Sequence, residues 1–181
     1  MPLLVLLNGA PGTGKSTLAQ RWAAAHPLSL ALDIDRVRGM VGAWREQPID
    51  AGMFARKLAL TMTHTALEQG HHVVVPQLVG KPEFISALKH VSDQHSVPFI
   101  HVVLTAPHQT CVNRCRARQT TVEFAQDHSD LATTVKTASE NIMQVADDEA
   151  IRVDTSGTID AVFEQLVALV RGHEPLHDTH P

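Results

Sequence analysis

Residues 9–17 read Gly-Ala-Pro-Gly-Thr-Gly-Lys-Ser-Thr, and nearly every residue type there suits work on phosphate. The spacing Gly9-x4-Gly14-Lys15-Ser16 is the P-loop pattern. Glycines let the chain wrap closely, so the backbone N–H groups of Gly9, Ala10, Gly12, Thr13 and Gly14 can turn toward phosphate oxygens. The helix expected to follow adds the partial positive charge of its first turn. Lys15 supplies a point charge for the β- and γ-phosphates, the Ser16 hydroxyl suits the shell of a Mg²⁺ ion, and Thr17 falls near the α-phosphate. A glycine-rich turn that merely caps a helix is the plainer alternative, but the apolar run before the motif and the helix formers after it favour nucleotide binding.

A second group lies downstream. Asp33 and Asp35 stand where a second strand ends, the edge of an open α/β sheet at which ligands gather, and Arg38 is one helical turn beyond Asp35. A carboxylate beside a γ-phosphate can take the proton of an attacking hydroxyl, and a neighbouring arginine can hold the acceptor. Asp33 suits the metal's water shell. The plainer alternative makes Asp35 a helix cap and Arg38 a solvated side chain. Arg114, Arg116 and Arg118 crowd another helix, with 114 and 118 on one face, and their mutual repulsion would be relieved by bound phosphates. The stretch Val153-Asp154-Thr155-Ser156-Gly157 is placed either to touch a nucleotide base or to cap the last helix.

Other reactive side chains read as structural. Cys111 and Cys115, four apart with His108 beside them, sketch a zinc site with no fourth ligand elsewhere, so reduced thiols on a half-buried helix face are expected. The twelve histidines are scattered, and His71-His72 is read as a turn before a strand.

Strands alternating with helices must position these groups. Apolar runs at residues 3–7, 28–32, 73–75, 99–104 and 151–153 predict five strands. The first is apolar throughout, as a central parallel strand needs. Helices are expected over 15–25, over 36–43 with Asp35 as cap, and over 51–68 with Phe54, Leu58, Met62 and Thr65 on one face. Further helices are expected from Pro82, over 107–118, over 130–145, and from Ile159 until Gly172 stops the last. This pattern predicts an α/β three-layer sandwich around a five-stranded parallel sheet, in one domain over residues 1–171. A helical lid is expected at about 107–128, and residues 172–181 are expected to fray as a tail.

Composition narrows the function. The chain has 181 residues, of which 44% are apolar and 19% charged, enough for one core and not for two. No apolar stretch approaches a membrane span and no signal peptide is apparent, which points to the cytoplasm. The net charge of −4 argues against a long nucleic-acid partner.

Taken together, the P-loop, Asp33-x-Asp35-x-x-Arg38, Ala106-Pro107 leading to Arg114-x3-Arg118, and Val153-Asp154-Thr155-Ser156 resemble the P-loop kinases that include polynucleotide 5′-kinases, zeta-type toxins, chloramphenicol phosphotransferases and gluconate kinases. The likeness spans most of residues 1–170. It implies a nucleotide-kinase-like P-loop NTPase fold using ATP and Mg²⁺, with Lys15 and Arg118 catalytic, Asp35 the general base and Arg38 a substrate contact. Ser16 and Asp33 would hold the metal, Arg114 would lie near the base, and Arg118 would neutralise charge from the lid. One departure stands out: the third strand ends Val75-Pro76-Gln77, where many relatives carry an acid. The P-loop wording also looks like that of AAA+ motor ATPases, which need an acidic strand end and a separate helical lid domain. The expected activity is transfer of the γ-phosphate of ATP to a hydroxyl of an antibiotic, nucleoside or sugar by a monomer or homodimer. A polynucleotide or nucleotide-sugar kinase and a nucleotide-binding switch remain open. No Asn-Lys-x-Asp sequence reads guanine, so ATP is the expected nucleotide. Acceptor contacts are expected from residues 37–60, with Trp44, Arg45 and Phe54 among them, and from residues 77–81.

Overall fold

Continuous apolar residues favour a strand covered on both sides, and β1 (Leu4–Gly9) is buried along its whole length. In the computed structural model, which describes residues 1–119 and 131–172, it sits at the centre of a five-stranded sheet. The order is β2 (Leu30–Ala31), β3 (Val73–Pro76), β1, β4 (Phe99–Thr105), β5 (Ile151–Asp154), with every neighbour parallel. From β1 the chain crosses through α1 to β2 at one edge, returns as β3 beside β1, and only then passes to β4 and β5 on the other side. The loop after β1 therefore opens at the point where strand order reverses, a natural crevice for a ligand.

Two helical layers close the sheet. On one face α1 (Lys15–Ala25) and α7 (Ile159–Arg171) bury Leu18, Trp22, Val162 and Leu166 against Leu3, Val5 and Leu7. On the other, α2 (Ile34–Gly39), α3 (Pro48–Glu68) and α4 (Pro82–Gln94) bury Val37, Ala55, Phe84 and Leu88 against Leu4 and Leu6. Each fully buried Leu contributes roughly 1.5–3 kcal/mol before the entropy of ordering is subtracted. Finally α5 (His108–Gln119) and α6 (Leu131–Val145) pack Cys111, Val112, Val135 and Ala138 over Ala10 in the phosphate loop. The three-layer α/β expectation holds.

Local differences have physical causes. The second strand shrinks to two paired residues because Leu28 turns into the left-handed region, with φ 64°, and is exposed. Asp33, not Asp35, caps α2: its Oδ1 accepts the N–H groups of Asp35 at 3.0 Å and Arg36 at 3.4 Å. That helix ends at Gly39 rather than near Ala43, whose φ is 51°. The third helix begins at Pro48 and turns a different face inward. Ala51, Ala55, Ala59, Thr63 and Leu67 are buried, whereas Phe54 is 51% exposed and Met62 40% exposed, with Thr65 also outside. Small side chains let α3 lie close against α2, and the Thr63 hydroxyl donates to the Ala59 carbonyl at 2.8 Å, so its burial leaves no orphan. The part of the expected lid at 120–128 and the tail at 173–181 lie outside the described residues.

Candidate active site

The loop between β1 and α1 takes its shape from two left-handed glycines, Gly12 with φ 85° and Gly14 with φ 89°. Contact forbids any side chain at Gly12, where a Cβ would lie 2.4 Å from the Cys111 carbonyl oxygen in α5. At Gly9 a Cβ would meet the Thr13 hydroxyl at 2.5 Å. Thr13 is buried and fastens the loop by donating its hydroxyl to the Ala10 carbonyl at 2.9 Å. Lys15 folds back over the loop, its Nζ donating to the carbonyls of Gly9 at 2.7 Å and Ala10 at 2.9 Å. Burial, and then the charge of Arg118, pull its pKa down to about 8. A cation held this way gains from an incoming anion. Thr17 stands exposed on the first turn of α1.

Beside the loop lies a cavity of about 270 Å³, lined by Gly12, Thr17, Arg114, Arg118, Thr155 and Gly157 among others. Its two arginines do different things. Arg114 donates to the carbonyls of Gly12 at 3.5 Å and Thr155 at 2.9 Å, so it pins the loop to the turn after β5. Arg118 is exposed on the same helix face, close enough to Lys15 to perturb it. In the turn after β5, Asp154 accepts from the N–H and hydroxyl of Ser156, which holds its carboxyl below the usual range. The helix cap proper is Thr158.

Toward β2 the groups run in sequence. The Ser16 hydroxyl lies 3.5 Å from Asp33 Oδ2, Asp33 Oδ1 caps α2 through the Asp35 N–H, and the Asp35 carboxylate pairs with Arg38 at 3.1 Å. Trp44 is flanked by the guanidiniums of Arg38 at 5.0 Å and Arg45 at 4.6 Å from its ring centre. Phe54 remains outside the core, and Gln77 is buried with its Oε1 lacking a hydrogen-bond partner among the described residues. The phosphate-loop residues, Asp33, Asp35, Arg38 and Gln77 therefore lie along the carboxyl edge of the sheet, with Arg114 and Arg118 on α5.

Asn8 is the residue that sequence reasoning missed. Fully buried, it accepts the N–H groups of Gly9 and Val79 at 2.9 Å each and donates to the Val79 carbonyl at 3.0 Å. It thereby ties the phosphate loop to the segment after β3. A lone polar residue ending an apolar run just before a glycine was the available signal. On α5, Cys111 packs into the core, burial raises both thiols, and His108 Nε2 lies 2.9 Å from the Ala132 carbonyl oxygen. Among the described residues no group of three or more His, Cys, Asp or Glu is arranged to hold a metal ion, and no helix is long and apolar enough to cross a membrane.

Residues 4–140 match the AAA_33 family, described as an AAA domain. The chain belongs to that family. The AAA_33 domain has solved neighbours among kinases. A protein of Chloroflexus aurantiacus J-10-fl described as a candidate kinase superposes with a TM-score of 0.68 at 16% identity, over 94% of this chain and 97% of that one. A gluconokinase of Sinorhizobium meliloti 1021 superposes at 0.60 and 15% identity, over 96% and 97%. The protein APE1195 gives 0.63 at 20%, over 95% and 96%. At these identities the likeness is one of fold. No curated protein sequence matches the chain. The family match and these neighbours support the P-loop kinase family that the sequence resemblance implied. The motor-type AAA reading still lacks its acid, since β3 ends in Pro76 followed by Gln77.

Proposed function

We propose that this AAA_33 domain transfers the γ-phosphoryl group of ATP to a hydroxyl of a small molecule such as an antibiotic, nucleoside or sugar. The observation that carries this is the unbroken line Lys15 loop, Ser16, Asp33, Asp35, Arg38, which sets a phosphate cradle next to a carboxylate–guanidinium pair on one edge of the sheet. In this reading the loop amides and Lys15 grip the β- and γ-phosphates, while Gly12, Thr17, Arg114 and the turn at Thr155 border the rest of the nucleotide. Arg118 neutralises charge on the transferring group. Asp35 takes the proton of the acceptor hydroxyl, and Arg38 with Trp44 and Arg45 holds the acceptor. Positioning and charge neutralisation do most of the work.

The residues present fit a Mg²⁺ ion. Asp33 spends one carboxylate oxygen on the α2 cap and turns the other toward the Ser16 hydroxyl, leaving oxygen donors of the kind a hard cation takes. When bound there, the ion would offset phosphate charge.

The test is phosphate transfer from ATP across a panel of antibiotics, nucleosides and sugars. Asp35→Asn is expected to reduce transfer by about 10²-fold or more while leaving ATP affinity within about twofold. Unchanged transfer would remove the base assignment. Gln77 favours a second reading, a nucleotide switch, because no acid ends β3 and its amide oxygen has no hydrogen-bond partner among the described residues. A switch would give only slow hydrolysis, whichever acceptor is supplied.

A further inference from the structure

On one side β1 outruns its neighbour. Pro76 of β3, opposite Leu7, is the last register partner there, and the Gln77 N–H makes the final ladder bond to the Leu7 carbonyl at 3.2 Å. β1 continues through Asn8 and Gly9, which pair with β4. Past Gln77 a side chain takes over from the ladder. Asn8 Oδ1 accepts the Val79 N–H at 2.9 Å and Nδ2 donates to the Val79 carbonyl at 3.0 Å, so the carboxamide imitates a strand backbone toward residues 77–81. The match needs a donor and an acceptor together, which neither a carboxylate nor a leucine supplies, and at 0% exposure solvent does not reach it. Val79 is the buried pin of this strip, with Leu78, Gly80 and Lys81 outside.

The same Asn8 oxygen accepts the Gly9 N–H at 2.9 Å, and the Gly9 carbonyl accepts from Lys15 Nζ at 2.7 Å. Gly9 is thus gripped on one side by the ammonium group of the phosphate loop and on the other by the amide that holds Val79. An incoming phosphate competes with the Gly9 carbonyl for Nζ. One acceptor atom serves both N–H groups, so a change in how firmly Gly9 is held alters the hold on Val79.

We propose that Asn8 is a positioning residue, a relay through which nucleotide at the phosphate loop fixes residues 77–81. In the proposed transfer these residues contribute to the acceptor side, so the relay makes nucleotide loading precede acceptor binding. The relay presupposes the nucleotide-binding reading of the loop.

Hydrogen exchange of the full chain, with and without Mg²⁺ and the non-hydrolysable ATP analogue AMP-PNP, tests it. In the wild-type protein saturating AMP-PNP is expected to slow the Val79 amide at least about fivefold more than the Val97 amide. Val97 donates to the Ser92 carbonyl at 3.0 Å in the turn after α4, at the far end of the sheet, and reports stabilisation of the whole fold. In Asn8→Ala, at AMP-PNP concentrations that saturate it, the excess slowing over 77–81 is expected to vanish. Asn8→Ser, which keeps a hydroxyl but loses the reach, repeats the measurement should alanine prevent folding. Equal slowing of the two amides in the wild-type protein, as a purely structural Asn8 would give, overturns the relay and leaves the kinase reading standing. Excess slowing that survives in the variants overturns it as well. A wild-type protein that does not bind AMP-PNP at all removes the nucleotide reading and the relay together.

Discussion

Replacing Gly12 and Gly14 separately by alanine distinguishes two reasons for a glycine. Both have φ near 90°, so each substitution carries the conformational penalty of a side chain in the left-handed region, roughly 1 kcal/mol. Only Gly12 has a neighbour. Its new methyl would lie 2.4 Å from the Cys111 carbonyl oxygen and 2.8 Å from Cys111 Cα, both backbone atoms of α5, whereas nothing stands within 4 Å at Gly14. Backbone cannot swing aside as a side chain does, so α5 must retreat by about an ångström, adding roughly 1–3 kcal/mol. The expected totals are about 1 kcal/mol for Gly14→Ala and about 2–4 kcal/mol for Gly12→Ala. For a chain of this size those correspond to midpoint losses of about 3 °C and about 6–12 °C. Thermal unfolding without nucleotide reads both. Equal losses, or a larger one at Gly14, would refute the claim that α5 is seated on the loop backbone.

Two further outcomes are expected. Lys15 has a folded pKa of about 8 against 10.5 unfolded, so between these values the unfolded chain binds more protons and this group's contribution to stability improves as pH rises. Lys15→Met should therefore raise the melting temperature in the absence of ligand at pH 7, with the advantage shrinking by pH 10; an advantage independent of pH would contradict the burial account. On α3, Ala59→Leu overfills the core cluster in which Ala59 is buried and should cost about 1–3 kcal/mol, while Phe54→Ser should cost under about 0.5 kcal/mol, both by denaturant unfolding. The reverse order would mean that the opposite face of α3 is the buried one.

Much of the architecture was legible because its determinants are local. An apolar run before a glycine loop forces a buried strand, and the alternation of strands with helices forces parallel crossovers. The α3 face was not legible, because Phe54, Leu58 and Met62 repeat at the same spacing as Ala55, Ala59 and Thr63. Hydrophobicity favoured the first set; the second is the buried one, although Leu58 of the first also packs, half-buried, against the same core. The α2 cap was misjudged between two aspartates two residues apart, since only backbone dihedrals decide which side chain reaches the free N–H groups. The P-loop residues were read from their spacing. Asn8 was not, because its work depends on a loop 71 positions away.

Asp33 has one oxygen committed to each half of the molecule's edge. Any shift of the Ser16 hydroxyl toward a new partner loosens its contact with Oδ2, and the same carboxylate anchors the first turn of the short helix carrying Asp35 and Arg38. In the proposed reaction, donor loading and acceptor alignment would thus share a single mechanical fulcrum. Lengthening that side chain by one methylene, as glutamate would, should disconnect them even with the carboxylate charge kept.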